Sequence, residues 1–389
     1  MTTRNLLLPF ILLPALFCVS CGSYEHKQGE LQVPAVESAA QGTGPVTIDT
    51  GDPQQMGALA TQFAQKRAIF IGEVHDQLEH HRNQLRVIQD LYQQYPDLAI
   101  GVEYLQQPFQ PYLDDFIAGR IDEREMLRKT EYFKRWQVDF RVLQPIFEFA
   151  RDKHIPIIAL NVPDEIHNKV FRWGMKSLTD EERRQVPDNI EPASEHYRER
   201  LKAIFNSHPP KTDFDNFVEG VLLWDASMAD TAARYLNGHP SSRMVVLAGM
   251  VHIMYGEGIP ERLDRRLGGN PSIVTINGSD FGNYPGIADY QLATTGDVTL
   301  PKAGKLGVTI TDGSGGVRVS EFAPGSAARE NGIQIGDRIV ALDGIHVKTI
   351  PELKSLMFDK SPGEKIQLSI ERDRTADSGK ELQFSVVLR

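Results

Sequence analysis

A chain of 389 residues exceeds the usual size of a single hydrophobic core, and 41% apolar residues is enough to fill two. The formal charge of -10 argues against a general nucleic-acid binder, which needs a basic face to neutralise phosphates.

The stretch 1–21, MTTRNLLLPFILLPALFCVSC, has one Arg and then an apolar run too short and too Pro-broken for a spanning helix, as in an export leader. The small residues before Cys21 resemble the lipobox of bacterial lipoproteins. That resemblance implies a leader ending at Cys21, a lipid on Cys21, and a membrane-anchored place in the bacterial cell envelope. Gly22, where Asp would signal retention, leans towards the outer membrane. With Cys18 removed and Cys21 acylated, no thiol remains for a disulfide or a thiolate metal site. Residues 22–44 are polar, small and without apolar period, so they read as a flexible tether spanning roughly 25 to 30 Å.

From 45 to 278, short β-branched runs alternate with amphipathic stretches, which predicts an α/β domain: a mostly parallel sheet with flanking helices. The expected strands are AIFIG (68–72), LAIGVE (98–103), IPIIALN (155–161), RMVVLAG (243–249) and SIVTIN (272–277). A large helical insertion separates the third from the fourth. Within it, 214–237 sets Phe214, Val218, Val221, Leu222, Met228 and Ala232 near one helix face. Residues 279–300 carry Gly, Pro and Asp with little period and read as a connector.

A small, mainly-β module is expected over 301–389. Its KLGVTI, GDRIVALDG and short helix IPELKSLMF resemble a bacterial PDZ domain, with Leu306, Gly307 and Val308 matching the carboxylate-binding loop. The resemblance implies that a protein C-terminal tail adds to the sheet as a strand while loop N–H groups hold its carboxylate.

Open parallel sheets bind ligands beyond the carboxyl ends of their strands. The first expected strand delivers Glu73 and His75 there, the second Glu103, the third Asn161, and the fourth Gly249 and His252. Gly72 and Gly249 are expected to release the chain through dihedrals other residues resist. Two imidazoles with carboxylates suit a divalent cation such as zinc, manganese or iron, with His75, His252 and Glu103 as ligands. They equally suit acid/base work on a bound water. His80 and His81 are expected on a solvated helix face, with His80 close enough in sequence to His75 to reach the same rim.

GEVHDQLEHHRNQL, GVEYLQQP, WDASMAD and GMVHIMYGEGIPERL, in this order, resemble the ChaN-like haem-binding lipoproteins. These belong to a superfamily with the Tiki metalloproteases, TraB-type proteins and erythromycin esterases. The resemblance implies that Glu73, His75, Glu103 and His252 occupy the shared polar site, and that the chain takes part in haem and iron acquisition. Trp224 and Asp225 stand where the esterase branch has an Arg, which counts against action on a macrolide. Haem proteins of this kind use His or Tyr for iron, so Tyr104, Tyr255 and His80 are the candidates by position.

Three readings stay open, and with them whether the chain is an enzyme. One is a haem-binding lipoprotein whose PDZ domain recruits a tail. The second is a Tiki-like metal-dependent hydrolase, with Glu73 or Glu103 as base and His75 and His252 on the metal. The third is a non-enzymatic PDZ scaffold. A homodimer sandwiching ligand is compatible with each.

Overall fold

The computed structural model describes residues 44–389 except 137, 208–209, 270–271, 279–283, 297, 314–315 and 373–380. It also describes the backbone of two short antiparallel strands, Ile11–Pro14 and Glu30–Val33. Cys21 and the rest of the expected leader and tether lie outside the described residues. The chain divides into two compact units, Met1–Arg120 with Gln144–Val298, and Ile121–Leu143 with Thr299–Arg389.

In chain order the further strands are β1 (Val46–Ile48), β2 (Ala68–Glu73), β3 (Leu98–Gln106), β4 (Ile157–Asn161), β5 (Arg243–Gly249), β6 (Ile273–Asn277) and β7 (Tyr290–Leu292). The second unit adds β8 (Val308–Gly313), β9 (Gly316–Phe322), β10 (Arg338–Leu342), β11 (Ile345–His346), β12 (Lys365–Glu371) and β13 (Glu381–Val387). The helices are α1 (Pro53–Phe63), α2 (Leu78–Gln94), α3 (Gln110–Ile117), α4 (Glu123–Lys129), α5 (Tyr132–Arg135), α6 (Gln144–Asp152) and α7 (Asp164–Trp173). They continue with α8 (Asp180–Arg183), α9 (Glu195–Ser207), α10 (Phe214–Gly238), α11 (Ile259–Arg266), α12 (Ala327–Glu330) and α13 (Ile350–Met357).

The first unit is built on a seven-stranded sheet in the order β1-β7-β6-β2-β5-β3-β4, every neighbouring pair parallel. Both faces of such a sheet are covered by helices, which is why β2, β3 and β4 are buried along their whole length and read as unbroken apolar runs. Parallel register aligns the strand ends: Glu73 pairs with Gly249, and Val102 with Leu247. The polar residues at and just beyond these strand ends therefore emerge at one edge. The β3–β4 pairing slips between Val102 and Gln106, a bulge that takes Glu103 out of the regular ladder.

The long helix α10 carries Asp213 as its N-cap, accepting from Asn216 N–H, and packs against α7, α11 and β4. Gly101 makes room on β3 for side chains of its two neighbouring strands: a Cβ there would lie 2.9 Å from both Leu160 Cδ1 on β4 and Met244 Sδ on β5.

Two boundaries differ from the sequence expectation. The connector over 279–300 contains β7, which pairs with both β1 and β6 and so belongs to the sheet. Three residues are too few to display a period, so only the pairing reveals them. Residues Ile121–Leu143, inside the expected α/β domain, group with the second unit.

That second unit holds an antiparallel sheet ordered β8-β9-β10-β12-β13, with β11 paired to β10. Its core includes Leu306, Val317, Ile339, Leu353, Ile366, Leu368 and Val386. β8 is an edge strand.

Gly101→Val is expected to cost about 1–3 kcal/mol by overpacking, read as a lower denaturation midpoint. Gly57→Ala, in α1 with nothing within 4 Å of the new methyl, is the control and is expected to raise the midpoint.

Candidate functional site

At the carboxyl edge of the sheet, Glu103 lies between two histidines. Its Oε1 is 3.6 Å from His252 Nε2 and 4.0 Å from His75 Nε2, while its Oε2 accepts the Gly249 N–H at 2.6 Å. Each imidazole has a carboxylate on its other nitrogen. Glu73 Oε1 is 2.8 Å from His75 Nδ1, and Asp225 Oδ1 is 2.7 Å from His252 Nδ1. The structure thus brings together Glu73, His75, Glu103 and His252, all buried. Asn161 stands beside them as a positioning group, donating to the Glu103 carbonyl at 3.2 Å.

Behind this row lies an outer set. Gln84 Nε2 donates to Glu73 Oε2 at 2.6 Å, and His81 Nε2 is 2.9 Å from the His75 carbonyl. Tyr197 donates its hydroxyl to Asp225 Oδ2 at 2.8 Å. Trp224 stacks on His167 at 3.8 Å and meets His252 edge-on at 5.8 Å. Sequence reasoning noted Asp225 only as a departure from the esterase branch and placed neither it nor Tyr197 in the site. A signal existed: Asp225 stands in the middle of the apolar stripe of α10, four residues after Val221 and three before Met228.

Burial alone would disfavour every charge here, so the directions of titration report the partners. Glu73 is pushed up by burial, but the neighbouring imidazoles of His81 and His75 outweigh it and hold it below the ordinary value. Burial opposes protonation of His75 and His252, yet both are raised, the first by Glu103 and Glu73, the second by Glu103 and Asp225. If each Nδ1 carries the hydrogen donated to its carboxylate, two Nε2 lone pairs face Glu103 Oε1. That centre needs a positive charge, supplied by protons on the imidazoles or by a bound cation. Among the described residues, no group of three or more His, Cys, Asp or Glu is spaced to hold a metal ion.

The glycines act differently from expectation. Gly72 and Gly249 keep ordinary φ values; Gly72 is needed for close approach, since a Cβ there would sit 2.7 Å from Ile253 Cδ1. His80 and His81 are buried rather than solvated. The start of α2 folds back over the end of β2, so His80 Nδ1 accepts the Val74 N–H at 2.9 Å. His80 thus has Nδ1 engaged in a structural contact and sits buried rather than on an open rim. Tyr104 is also buried, its ring 6.5 Å from that of Phe147.

Tyr255 is different. It is half-buried and adopts φ 64, a left-handed conformation that costs a bulky residue strain. Its ring lies 5.1 Å from the Arg200 guanidinium and 4.7 Å from the His196 ring. Glu257 ties the cluster, at 3.1 Å from both Arg200 and His196. Arg200 is buried, and its Nη1 has no hydrogen-bond partner among the described residues. Burial pushes the Tyr255 phenol up, and the Arg200 charge opposes that rise.

In the second unit Gly307 has φ 71, and a Cβ there would meet Ser326 Cα at 2.8 Å, so the loop between Leu306 and Val308 requires glycine.

Only the neutral His80 ring can accept the Val74 N–H, and burial pushes its pKa from 6.5 to about 3. The stability this contributes is present in full above the unfolded value and is lost as the pH falls through the folded one. His80→Asn keeps an acceptor that does not titrate. Melting temperatures between pH 6.5 and about 3 are expected to fall less steeply in the variant than in the parent; equal slopes count against a neutral buried His80.

Residues 59–263 match the family described as haem-binding uptake, Tiki superfamily, ChaN, and residues 304–388 match the PDZ domain. Among solved structures, cofacially haem-binding ChaN of Campylobacter jejuni is similar at TM-score 0.50 and 17% identity, over 64% of this chain and 96% of that one. Among curated proteins, the periplasmic pH-dependent serine endoprotease DegQ of Escherichia coli (strain K12) is 29% identical over 141 residues, 31% of this chain and 29% of its own. The chloroplastic protein RETICULATA-RELATED 5 of Arabidopsis thaliana is 21% identical over 197 residues, 46% of this chain and 26% of its own. The chain thus spans less than a third of the length of these curated relatives. The first family match covers more than half of the chain, on the sheet whose edge carries the histidine and carboxylate row. This chain belongs to the ChaN family of the Tiki superfamily and carries a PDZ domain at its C-terminal end.

Proposed function

We propose that this chain is a lipid-anchored haem-binding protein of the bacterial envelope, serving haem and iron acquisition, with Tyr255 as the residue that meets haem iron. The observation that carries this reading is Tyr255 itself: a half-exposed phenol in a strained left-handed backbone, its ring between a buried guanidinium and an imidazole. Strain of that kind persists where a ligand clamp needs it. The donor chemistry fits ferric haem, since a phenolate is a hard anionic ligand; burial raises the Tyr255 pKa, and the Arg200 charge opposes that rise. Haem would supply iron as cargo, and no redox step by the protein is needed. Anchorage rests on Cys21 in its lipobox-like setting, and among the described residues no helix is long and apolar enough to cross a membrane.

The PDZ domain complements this by taking an extended tail on the free edge of β8, with its carboxylate at Leu306–Gly307–Val308. A second reading has one observation in its favour: His75 and His252 each carry a carboxylate on Nδ1 and turn Nε2 to Glu103, the arrangement that orients imidazoles towards a divalent cation. Under it the chain is a metal-dependent hydrolase.

Titrating the full chain with haemin and following the Soret band separates the two. Tyr255→Phe is expected to weaken binding at least about tenfold, or about 1.4 kcal/mol, while Tyr104→Phe leaves it unchanged. Saturation at one haem per two chains or one per chain reports whether a dimer shares ligand. Haem binding indifferent to Tyr255→Phe, together with one equivalent of divalent metal that His75→Ala loses, would overturn the haem reading in favour of the hydrolase.

A further inference from the structure

The match to the PDZ domain covers 304–388, but the compact unit that contains it also includes Ile121–Leu143, more than 150 residues earlier in the chain. This excursion leaves the first unit after Arg120 and rejoins it at Gln144. Its helices α4 and α5 pack directly against α13. Phe358, at the C-cap of α13, is buried between two rings of the excursion, Phe133 at 6.0 Å and Phe140 at 6.0 Å. Tyr132 backs them, edge-on to both at 5.2 Å. Arg124 pairs with Asp359 at 2.8 Å, and Arg141 Nη1 donates to the Pro301 carbonyl at 2.9 Å.

The helix so gripped is the one that runs beside the open edge of β8. Asp312 Oδ1, at the far end of β8, accepts the Ile350 N–H at the start of α13 at 2.9 Å. At the other end, the Gly304 N–H donates to the Lys360 carbonyl at 2.8 Å, next to the loop of Leu306 and Gly307. Strand and helix are thus antiparallel, and between them Val308, Ile310, Ile350 and Met357 are only half-buried. An added strand needs the α13–β8 spacing held wide enough to enter and close enough to cover its side chains. The rings packed on Phe358 from the excursion are Phe133 and Phe140.

We infer that Phe133 and Phe140 are positioning residues of the peptide groove: they anchor the carboxylate end of α13 from outside the PDZ sequence and set its spacing from β8. The inference rests on the reading of this groove as a peptide site. A PDZ module cut at the family boundary therefore lacks part of its own groove support, and the affinity for tails is tuned by a segment lying inside the ChaN-family region of the sequence.

The test uses the full chain and a fluorescein-labelled decapeptide ending in a free valine carboxylate, with the same peptide amidated as control. Phe133→Ala, at a half-buried position, is expected to weaken binding of the free-carboxylate peptide about tenfold by anisotropy, with Phe133→Leu recovering most of it. Hydrogen exchange on the peptide-free chain is read in parallel. Amides of 350–358 are expected to exchange faster in Phe133→Ala, while those of β2 and β5 are unchanged. Parent-like affinity and parent-like exchange over 350–358 overturn the inference. Faster exchange in a chain whose parent form binds no peptide refutes the peptide reading and leaves the anchoring role standing.

Discussion

Two imidazoles and three carboxylates withdrawn from water at one sheet edge survive only because each is held by another. Glu103 is the hinge of that arrangement. It reaches His75 and His252 with one oxygen and the backbone of β5 with the other, so it ties three adjacent strands, β2, β3 and β5, at their ligand-facing ends. Glu73 and Asp225 finish the work from behind by fixing the ring orientations. Removing one member leaves a buried charge without its partner, a far larger penalty than the pair's net contribution. The bulge in β3, the close approach at Gly72 and the fold-back of α2 all serve this row.

From Asp225 the polar chain continues through Tyr197 to Arg200, whose guanidinium lies under both the Tyr197 and the Tyr255 rings. The buried row and the half-exposed tyrosine therefore belong to one electrostatic system: the Arg200 charge also counts against protonation of His252. The buried polar row is thus the foundation, and the half-exposed phenol of Tyr255 is the part we propose to face a ligand. The PDZ unit adds, in the proposed reading, recognition of protein tails by backbone pairing on a free strand edge and a glycine loop.

Much of this was legible in the sequence, for a physical reason. Parallel strands buried on both faces show as apolar runs, and parallel register brings the carboxyl ends of those runs to the same edge, so Glu73, His75, Glu103 and His252 could be grouped before any coordinates. Asp225 was hidden because it arrives from a helix, and the apolar stripe around it reads as ordinary core. His80 and His81 looked solvated because Glu79 and Arg82 flank them, and only the fold-back of α2 reverses that. The left-handed turn at Tyr255 is set by tertiary packing, including Gly258, whose Cβ would strike the His252 carbonyl at 2.3 Å. No local signal could assign Ile121–Leu143 to the second unit, since its partners lie across the chain from it.

The proposed role of Tyr255 is tested most directly by electron paramagnetic resonance of the full chain loaded with ferric haem. A high-spin signal with a phenolate-to-iron absorption band, both lost in Tyr255→Phe, is the expected result. A low-spin signal of imidazole ligation, or a spectrum that Tyr255→Phe leaves unchanged, contradicts it.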